Sequence, residues 1–499
     1  MKTNDRPVFW LFTAAAACMV AVLLVSCRPA QDVTETDSDA GEAPTDLVAE
    51  IGDYAITKDE LKQRLAQEIR PQREEYGLSR EPVTPEAVLR KMVAEKAMAM
   101  EGRKLGYLED EVQKASVERY TQKLLINLFV TDYVMENVPV TEPEIDEQLQ
   151  ADPNLTREQA QMKVRSAKAN PMLKEFYTQL LEKFKLEKVK ENFAKASKIH
   201  QRLLSRPAQP RGGNVFWITN KQIREELTPD EKSIVLARYT AGEFTLHDWF
   251  KALSSMAPPG RPKDLGRPEG VEKLLDRAIP PVIWAAEAVD RGYDKNEELL
   301  EKVRAREDMQ LLGKVRSEKY KEVAEPSDEE IQDYFEAHQE QFANPASLKV
   351  EQVWCADRPT AEKAREMFAD GASLESVNAA HGLLEQSRPH NVYPASEGLF
   401  WDDLWAAEPN DVVGPLKGFY QTGIKWRVAR VLEKTPPVPR PYSDALKNQV
   451  KSALMTSRRQ DIMALYEAQL LENYPHDIYA DRIEDMDPLE VTPPEEPAR

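Results

Sequence analysis

The side chains able to do chemistry are few and scattered. Six histidines, His200, His247, His338, His381, His390 and His476, sit in unrelated contexts of a 499-residue chain. No H-E-x-x-H string and no Cys-His cluster occurs, so no zinc site and no other cofactor is expected. Cys355 stands beside Trp354 with no histidine next to it, which predicts a buried apolar residue in place of a nucleophile. G-x-S-x-G, G-x-x-x-x-G-K-[ST] and G-x-G-x-x-G are all missing, which argues against serine hydrolases and nucleotide enzymes. With 67 Lys and Arg against 86 Asp and Glu the net charge is −19, unsuited to a nucleic-acid partner. What remains is aromatic: Trp354, Phe400, Trp401, Trp405 and Trp426 could line a peptide-binding trough, although a small domain also needs such rings for its core.

One thiol has a different context. Lys2 and Arg6 precede an apolar run from Val8 to Val25 that ends in Leu24-Val25-Ser26-Cys27. This reads as a secretory signal, residues 1–26, whose end resembles a bacterial lipobox, with Cys27 the lipid acceptor. The competing reading is a single-span anchor, since eighteen apolar residues could just cross a bilayer. Either places the bulk outside the cytoplasm, in the bacterial cell envelope. Residues 27–47 are acidic and lack aromatics, as are 480–499, and both are expected to be disordered, the first as a tether.

The elements that must position any site are organised by a repeat. Gly106-Tyr107 returns as Gly292-Tyr293, and Thr141-x-x-Glu144-Ile145 as Ser327-x-x-Glu330-Ile331, displaced by 186. Residues 48–56 followed by Thr57-x-x-Glu60 parallel 235–244 followed by Thr245-x-x-Asp248, displaced by 188. Each copy reads as a hairpin, a capped helix, a proline-bearing loop and long helices ending in a capping box. Val88, Leu89, Met92, Val93 and Ala97 form a helical stripe, and Leu274, Leu275, Ile279 and Ile283 its counterpart, which Pro280-Pro281 is expected to kink or break. The expected modules are 48–150 and 235–345, joined by a helical connector, 151–234. Met92, Met98, Met100 and Met135 could give the first module an adaptable surface, but helical spacing assigns the first three to its core.

Beyond the repeat, Leu348, Val350, Gln352 and Trp354 alternate with Lys349, Glu351 and Val353, the pattern of a half-buried strand. Helices at 360–368 and 373–380 follow, then strand-like runs at 398–401, 411–416 and 425–433. From Val350 to Glu433 this order resembles a parvulin-type (PpiC) peptidyl-prolyl isomerase domain. The opening at 48–57 and the Pro326-Ser327-Asp328-Glu329-Glu330-Ile331 helix are similar to foldases of the SurA and PrsA type. The resemblance implies a mostly helical α+β fold, with SurA-like helical modules around a small parvulin-like domain at 346–434. It also implies that a closing helix within 435–479 returns to the first module. The family's strand histidines are absent: Gln352 stands at the first, and Arg427, or Lys425 on another count, at the second. A permanently charged Arg427 demands an acid partner and makes the pocket polar. No catalytic residue is therefore assigned.

The expected protein is a lipid-anchored extracytoplasmic foldase or chaperone that binds unfolded segments of exported proteins, with isomerase activity weak or lost. The alternative is a structural lipoprotein scaffolding one fixed envelope partner.

Overall fold

The computed structural model describes residues 46–69, 83–205, 217–257, 260–384, 387–397, 400–420 and 423–486. Cys27, the apolar run and the proposed tether up to residue 45 lie outside them.

The first copy of the repeat supplies β1 (Leu47–Ile51), β2 (Tyr54–Thr57), α1 (Lys58–Ile69), α2 (Pro85–Lys104), α3 (Glu111–Asn137) and α4 (Glu142–Ala151). Next come α5 (Arg157–Lys183), β3 (Glu187–Lys188), α6 (Phe193–Leu204), α7 (Asn220–Glu226) and α8 (Pro229–Lys232). The second copy gives β4 (Val235–Tyr239), β5 (Gly242–Thr245), α9 (Leu246–Ser255), α10 (Pro268–Asp290), α11 (Glu297–Tyr320) and α12 (Asp328–Ala337). The parvulin-like segment holds β6 (Ser347–Cys355), α13 (Arg358–Ala369), α14 (Leu374–His381), β7 (His390–Val392), α15 (Pro394–Glu397), α16 (Trp401–Ala406), β8 (Val412–Tyr420) and β9 (Gly423–Thr435). The last elements are α17 (Asp444–Asn473) and β10 (His476–Ile478). The fold is α+β and mostly helical.

The duplicated motifs do the same local work in each copy. Gly106 and Gly292 take φ of 72° and 82°, a left-handed turn costly for any residue with a Cβ, and each starts a 3-10 turn. Thr141 with Glu144, and Ser327 with Glu330, are reciprocal capping boxes that satisfy the free amides at the starts of α4 and α12. Thr245 with Asp248 does the same for α9.

Two compact units result, and neither matches a contiguous module. The first unit holds residues 111–307; the second holds 46–110 and 308–486. In the first, β3, β4 and β5 form an antiparallel sheet. Phe129, Phe176, Trp249, Phe250 and Trp284 fill a core shared by α3, α5, α9 and α10. In the second, β10, β1 and β2 form the corresponding sheet. Its core joins Val48, Ile51, Leu61, Leu89 and Met98 to Val315 of α11 and to Met463 and Leu470 of α17.

The correspondence extends to single hydrogen bonds. Tyr479 N donates to the carbonyl of Val48, and Val189 N to that of Leu236, the residue 188 further on, both at 2.9 Å. Lys188 is register partner of Ala237, as Ile478 is of Ala49. Lys188 and Ile478, like the helix ends Lys183 and Asn473, are displaced by 290 in place of 186. Of the extra 104 residues, 101 are the parvulin-like segment with its linkers, inserted between α12 and α17 where the first copy has only residues 152–156 between α4 and α5, and three are the greater length of α17. Each copy thus sends its closing helix and strand to the hairpin of the other.

Several expectations are corrected. The boundaries 48–150 and 235–345 each fall across two units, because the closing strands pair reciprocally. Residues 151–234 are more than a connector, since α5 and β3 complete the first unit. α10 runs unbroken through Pro280 and Pro281, held by buried Leu274, Leu275, Ile279, Ile283 and Trp284 on either side. The acidic tail expected from 480 is ordered as far as 486: Ala480–Arg482 is a 3-10 turn and Ile483 is buried in the second core. Phe400 and Trp401 open a helix, α16, in place of a strand.

Candidate functional site

In the parvulin-like segment the strands lie in the order β7-β6-β9-β8. Alternation along β6 and β9 gives the sheet two faces. Val353, Cys355 and Val428 pack beneath α13 and α14 with Phe368 and Val377. Leu348, Val350, Ala429 and Val431 pack on the other face with Leu404 of α16. Gln352 and Trp354 continue this second face, and the register sets Trp354 opposite Arg427 and Gln352 opposite Ala429. Arg427, not Lys425, therefore shares this face with Gln352 as its diagonal neighbour; β6 ends its pairing at Cys355 and Trp426.

Arg427 is 5% exposed. Its Nη1 donates to Oε2 of Glu397 at 2.5 Å and, more weakly, to Oε1 of Gln352 at 3.4 Å. The guanidinium carbon sits 4.0 Å from the ring centre of Phe400 and 5.3 Å from that of Trp354. Burial pushes the guanidinium below its ordinary pKa, and Glu397 pushes it back. Ser396 Oγ donates to the second carboxylate oxygen of Glu397 at 3.2 Å. The Arg427 Nη2 has no hydrogen-bond partner among the described residues.

This arrangement fills the face with a charge-paired plug. Gly418 closes it from β8: a Cβ there would meet Trp354 at 2.8 Å and Phe400 at 2.9 Å. Rotation of an X-Pro bond faces a barrier of about 20 kcal/mol and is eased where a site strips water from the imide. A guanidinium-carboxylate pair offers the opposite environment. No imidazole joins Arg427 and Gln352 among the described contacts; His390, on edge strand β7, is exposed with its Nδ1 against the Arg388 carbonyl.

The five candidate aromatics do not form one trough. Trp354 and Phe400 are buried and clasp Arg427. Trp401 and Trp405 stack with ring centres 5.3 Å apart and pack over Leu404, Val350 and their neighbours. Trp426 is on the opposite, helix-covered face, with Arg358 and Lys417 over its ring. Cys355 is fully buried, and burial, with Asp357 nearby, raises its thiol to about 11, so it stays protonated. Glu397 and Gly418 were not legible as site residues. The one signal for Glu397 is that a buried Arg427 requires an acid, and nothing in the chain says which.

Residues 326–447 match the family model of the PPIC-type PPIASE domain. This segment is a PPIC-type PPIase domain. The match spans α12 and the insertion and ends after the first turn of α17. No curated protein matches the chain.

Among solved structures, one is reported with two SurA-like chaperones of Campylobacter jejuni, PEB4 and the periplasmic protein Cj1289. It is 10% identical, covers 53% of this chain and 96% of its own, and gives a TM-score of 0.22. The foldase protein PrsA of Streptococcus pneumoniae is 16% identical over 40% of this chain and 75% of its own, TM-score 0.23. The peptidylprolyl isomerase PrsA of Bacillus cereus is 15% identical over 51% and 99%, TM-score 0.21. No helix among the described residues is long and apolar enough to cross a membrane.

Proposed function

We propose that the protein is an extracytoplasmic foldase of the parvulin family that binds unfolded exported polypeptides and whose PPIase domain no longer isomerises proline. The observation that carries the second part is the Arg427-Glu397 pair, buried between Phe400 and Trp354 on the face where the fold would hold its proline pocket. The Leu24-to-Cys27 string supports a lipid anchor at Cys27 that holds the protein at the membrane of the cell envelope. Equal fatty-acid labelling of Cys27→Ser would overturn that anchor.

Two measurements on the chain beginning after Cys27 test the reading. Isomerisation of a short X-Pro peptide should not be accelerated above the uncatalysed rate. Aggregation of several unrelated unfolded proteins should be suppressed near equimolar stoichiometry. Acceleration comparable with ordinary parvulins would refute the loss of catalysis, and protection of none of the test proteins would refute the foldase reading.

A further inference from the structure

The exchange between the copies is a choice that the backbone leaves open. α3, α5 and β3 follow the first hairpin in the chain yet pack with the second, whereas residues 308–320 of α11, with α17 and β10, pack with the first. A contiguous arrangement, each hairpin keeping the helices that follow it, would use the same strand register. Glu187 is opposite Arg238 and Asp477 is opposite Glu50, and the two pairs are related by the displacements of 290 and 188. The arrangements differ in the polar side chains that the helices bring together.

In the first unit Lys183, at the end of α5, pairs with Glu287 at 2.6 Å and Asp290 at 2.5 Å. Lys188 of β3 pairs with Glu272 at 2.9 Å and Asp276 at 2.5 Å. Glu287 is 2% exposed. The displacement of 186 carries the buried Val88, Leu89, Val93 and Ala97 of α2 onto the buried Leu274, Leu275, Ile279 and Ile283 of α10. It keeps glutamates, Glu101 and Glu86, at the places of Glu287 and Glu272, but puts Lys104 at the place of Asp290 and Arg90 at that of Asp276. On α2 each lysine would therefore meet a cation where α10 offers a second acid, and Lys104 and Arg90 already pair with Glu101 and Glu86. The segment that does pack on α2 brings no cation to these places. Asn473 and Ile478 stand where Lys183 and Lys188 do, and the Tyr474 hydroxyl donates to Glu101 at 2.6 Å. Set on α10, that segment would take the lysine from Asp276 and leave buried Glu287 with Arg291 alone.

The second unit has a lock of the opposite sign. Asp308 of α11, 9% exposed, accepts from the Tyr54 hydroxyl at 2.8 Å and pairs with Arg103 at 2.8 Å and Lys96 at 3.5 Å. Its counterpart in α3 is Gln122, which donates to the Pro281 carbonyl at 3.5 Å. The counterparts of Arg103 and Lys96 in α10 are Val289 and Val282. In the contiguous arrangement Asp308 would be a buried carboxylate facing two valines, and Arg103 and Lys96 would face an amide. A buried charge without its partner is strongly destabilising. We propose that these two locks, Lys183 and Lys188 on the acids of α10 and Asp308 on the cations of α2, select the exchanged arrangement over the contiguous one. The inference is independent of the foldase reading: it assigns to named side chains the path by which one chain builds two similar units without confusing them.

Two cysteine reporters in the chain beginning after Cys27 read the choice after dilute refolding from urea and mild oxidation. Glu187→Cys with Arg238→Cys cross-links within the chain in the exchanged arrangement, and Glu187→Cys with Glu50→Cys in the contiguous one; all three positions are exposed. With the native locks the first product should dominate. Trading the lock residues between the copies, by Asp276→Arg, Asp290→Lys, Arg90→Asp, Lys104→Asp, Asp308→Gln and Gln122→Asp, should raise the second product at least about tenfold at the expense of the first, given what an unpaired buried charge costs. Asp276→Arg with Asp290→Lys alone changes side chains that are 53% and 58% exposed, and keeps the test decisive if the sixfold variant does not fold. In it the second product should rise about twofold to fivefold, the reach of exposed ion pairs. An unchanged ratio of the two products in the folded variants overturns the proposal and assigns the choice to apolar packing or to the lengths of the connections.

Discussion

Nη1 of Arg427 and Oε2 of Glu397 lie 2.5 Å apart, with side chains 6% and 5% exposed, and this contact joins the last long strand of the PPIase domain to the short helix α15. It fixes the character of the face. A buried charge pair gains little over an apolar pair of the same volume, but removing one partner leaves the other uncompensated. Paired, the two charges compensate each other, and either alone would be buried without its counter-charge.

Glu397→Ala should therefore destabilise the PPIase domain by about 3–5 kcal/mol. Replacing both partners, Arg427→Met with Glu397→Leu, should recover most of that loss. Urea unfolding followed by the fluorescence of Trp354, in variants lacking the other tryptophans of this domain, reads both. A double variant as unstable as the single one would show that the pair does more than neutralise itself.

The first unit should carry an acid-sensitive element at His200. This ring is buried against Trp249 and Phe250, its Nδ1 lacks a partner, and burial, then Arg261, lowers its pKa to about 4. Unfolding returns it to about 6.5. Between those values the unfolded chain binds a proton that the folded one does not, so stability is full above about pH 6.5 and is lost as the pH falls toward 4. The loss reaches about 3 kcal/mol at most. His200→Phe should flatten the dependence of the urea midpoint over this window, and an equal slope in both proteins would assign it to other groups.

Ending the chain after Thr435 removes Met463 and Leu470 from the second core, together with the β10 partner of β1. Each such side chain contributes about 1.5–3 kcal/mol when fully buried. Amides from Val88 to Met98 should lose protection against hydrogen exchange, while those of the first unit, residues 111–307, keep theirs. Unchanged exchange in α2 would mean that α17 adds little to this core.

The reciprocal pairing predicts the fate of a cut chain. With a protease site placed between Leu204 and Trp217, cleavage yields two fragments that share both sheets, β3 with β4 and β10 with β1. They should elute together from a sizing column until denaturant is added. Separation without denaturant would show that the exchanged segments are dispensable.

The sequence by itself determined what is local. Apolar spacing and Ser or Thr followed three residues later by Glu or Asp place α4, α9 and α12, because a cap is made by residues three apart. The repeat was visible because its glycines and caps recur at 186, and the PPIase segment was recognisable from the order of its elements. The absence of histidine at Gln352 and Arg427 is likewise a fact of the string. Which hairpin each closing strand would join was not: β3 and β10 are two and three residues long, and antiparallel pairing carries no mark of which copy supplies the partner. Only the tertiary structure decided that exchange, and with it the division of the chain into units at 111 and 307. The same holds for Glu397. Arg427 announces the need for an acid, but thirty residues separate the two, and the path of the chain through α15 and α16 selects one carboxylate by bringing it within hydrogen-bonding distance as water is excluded.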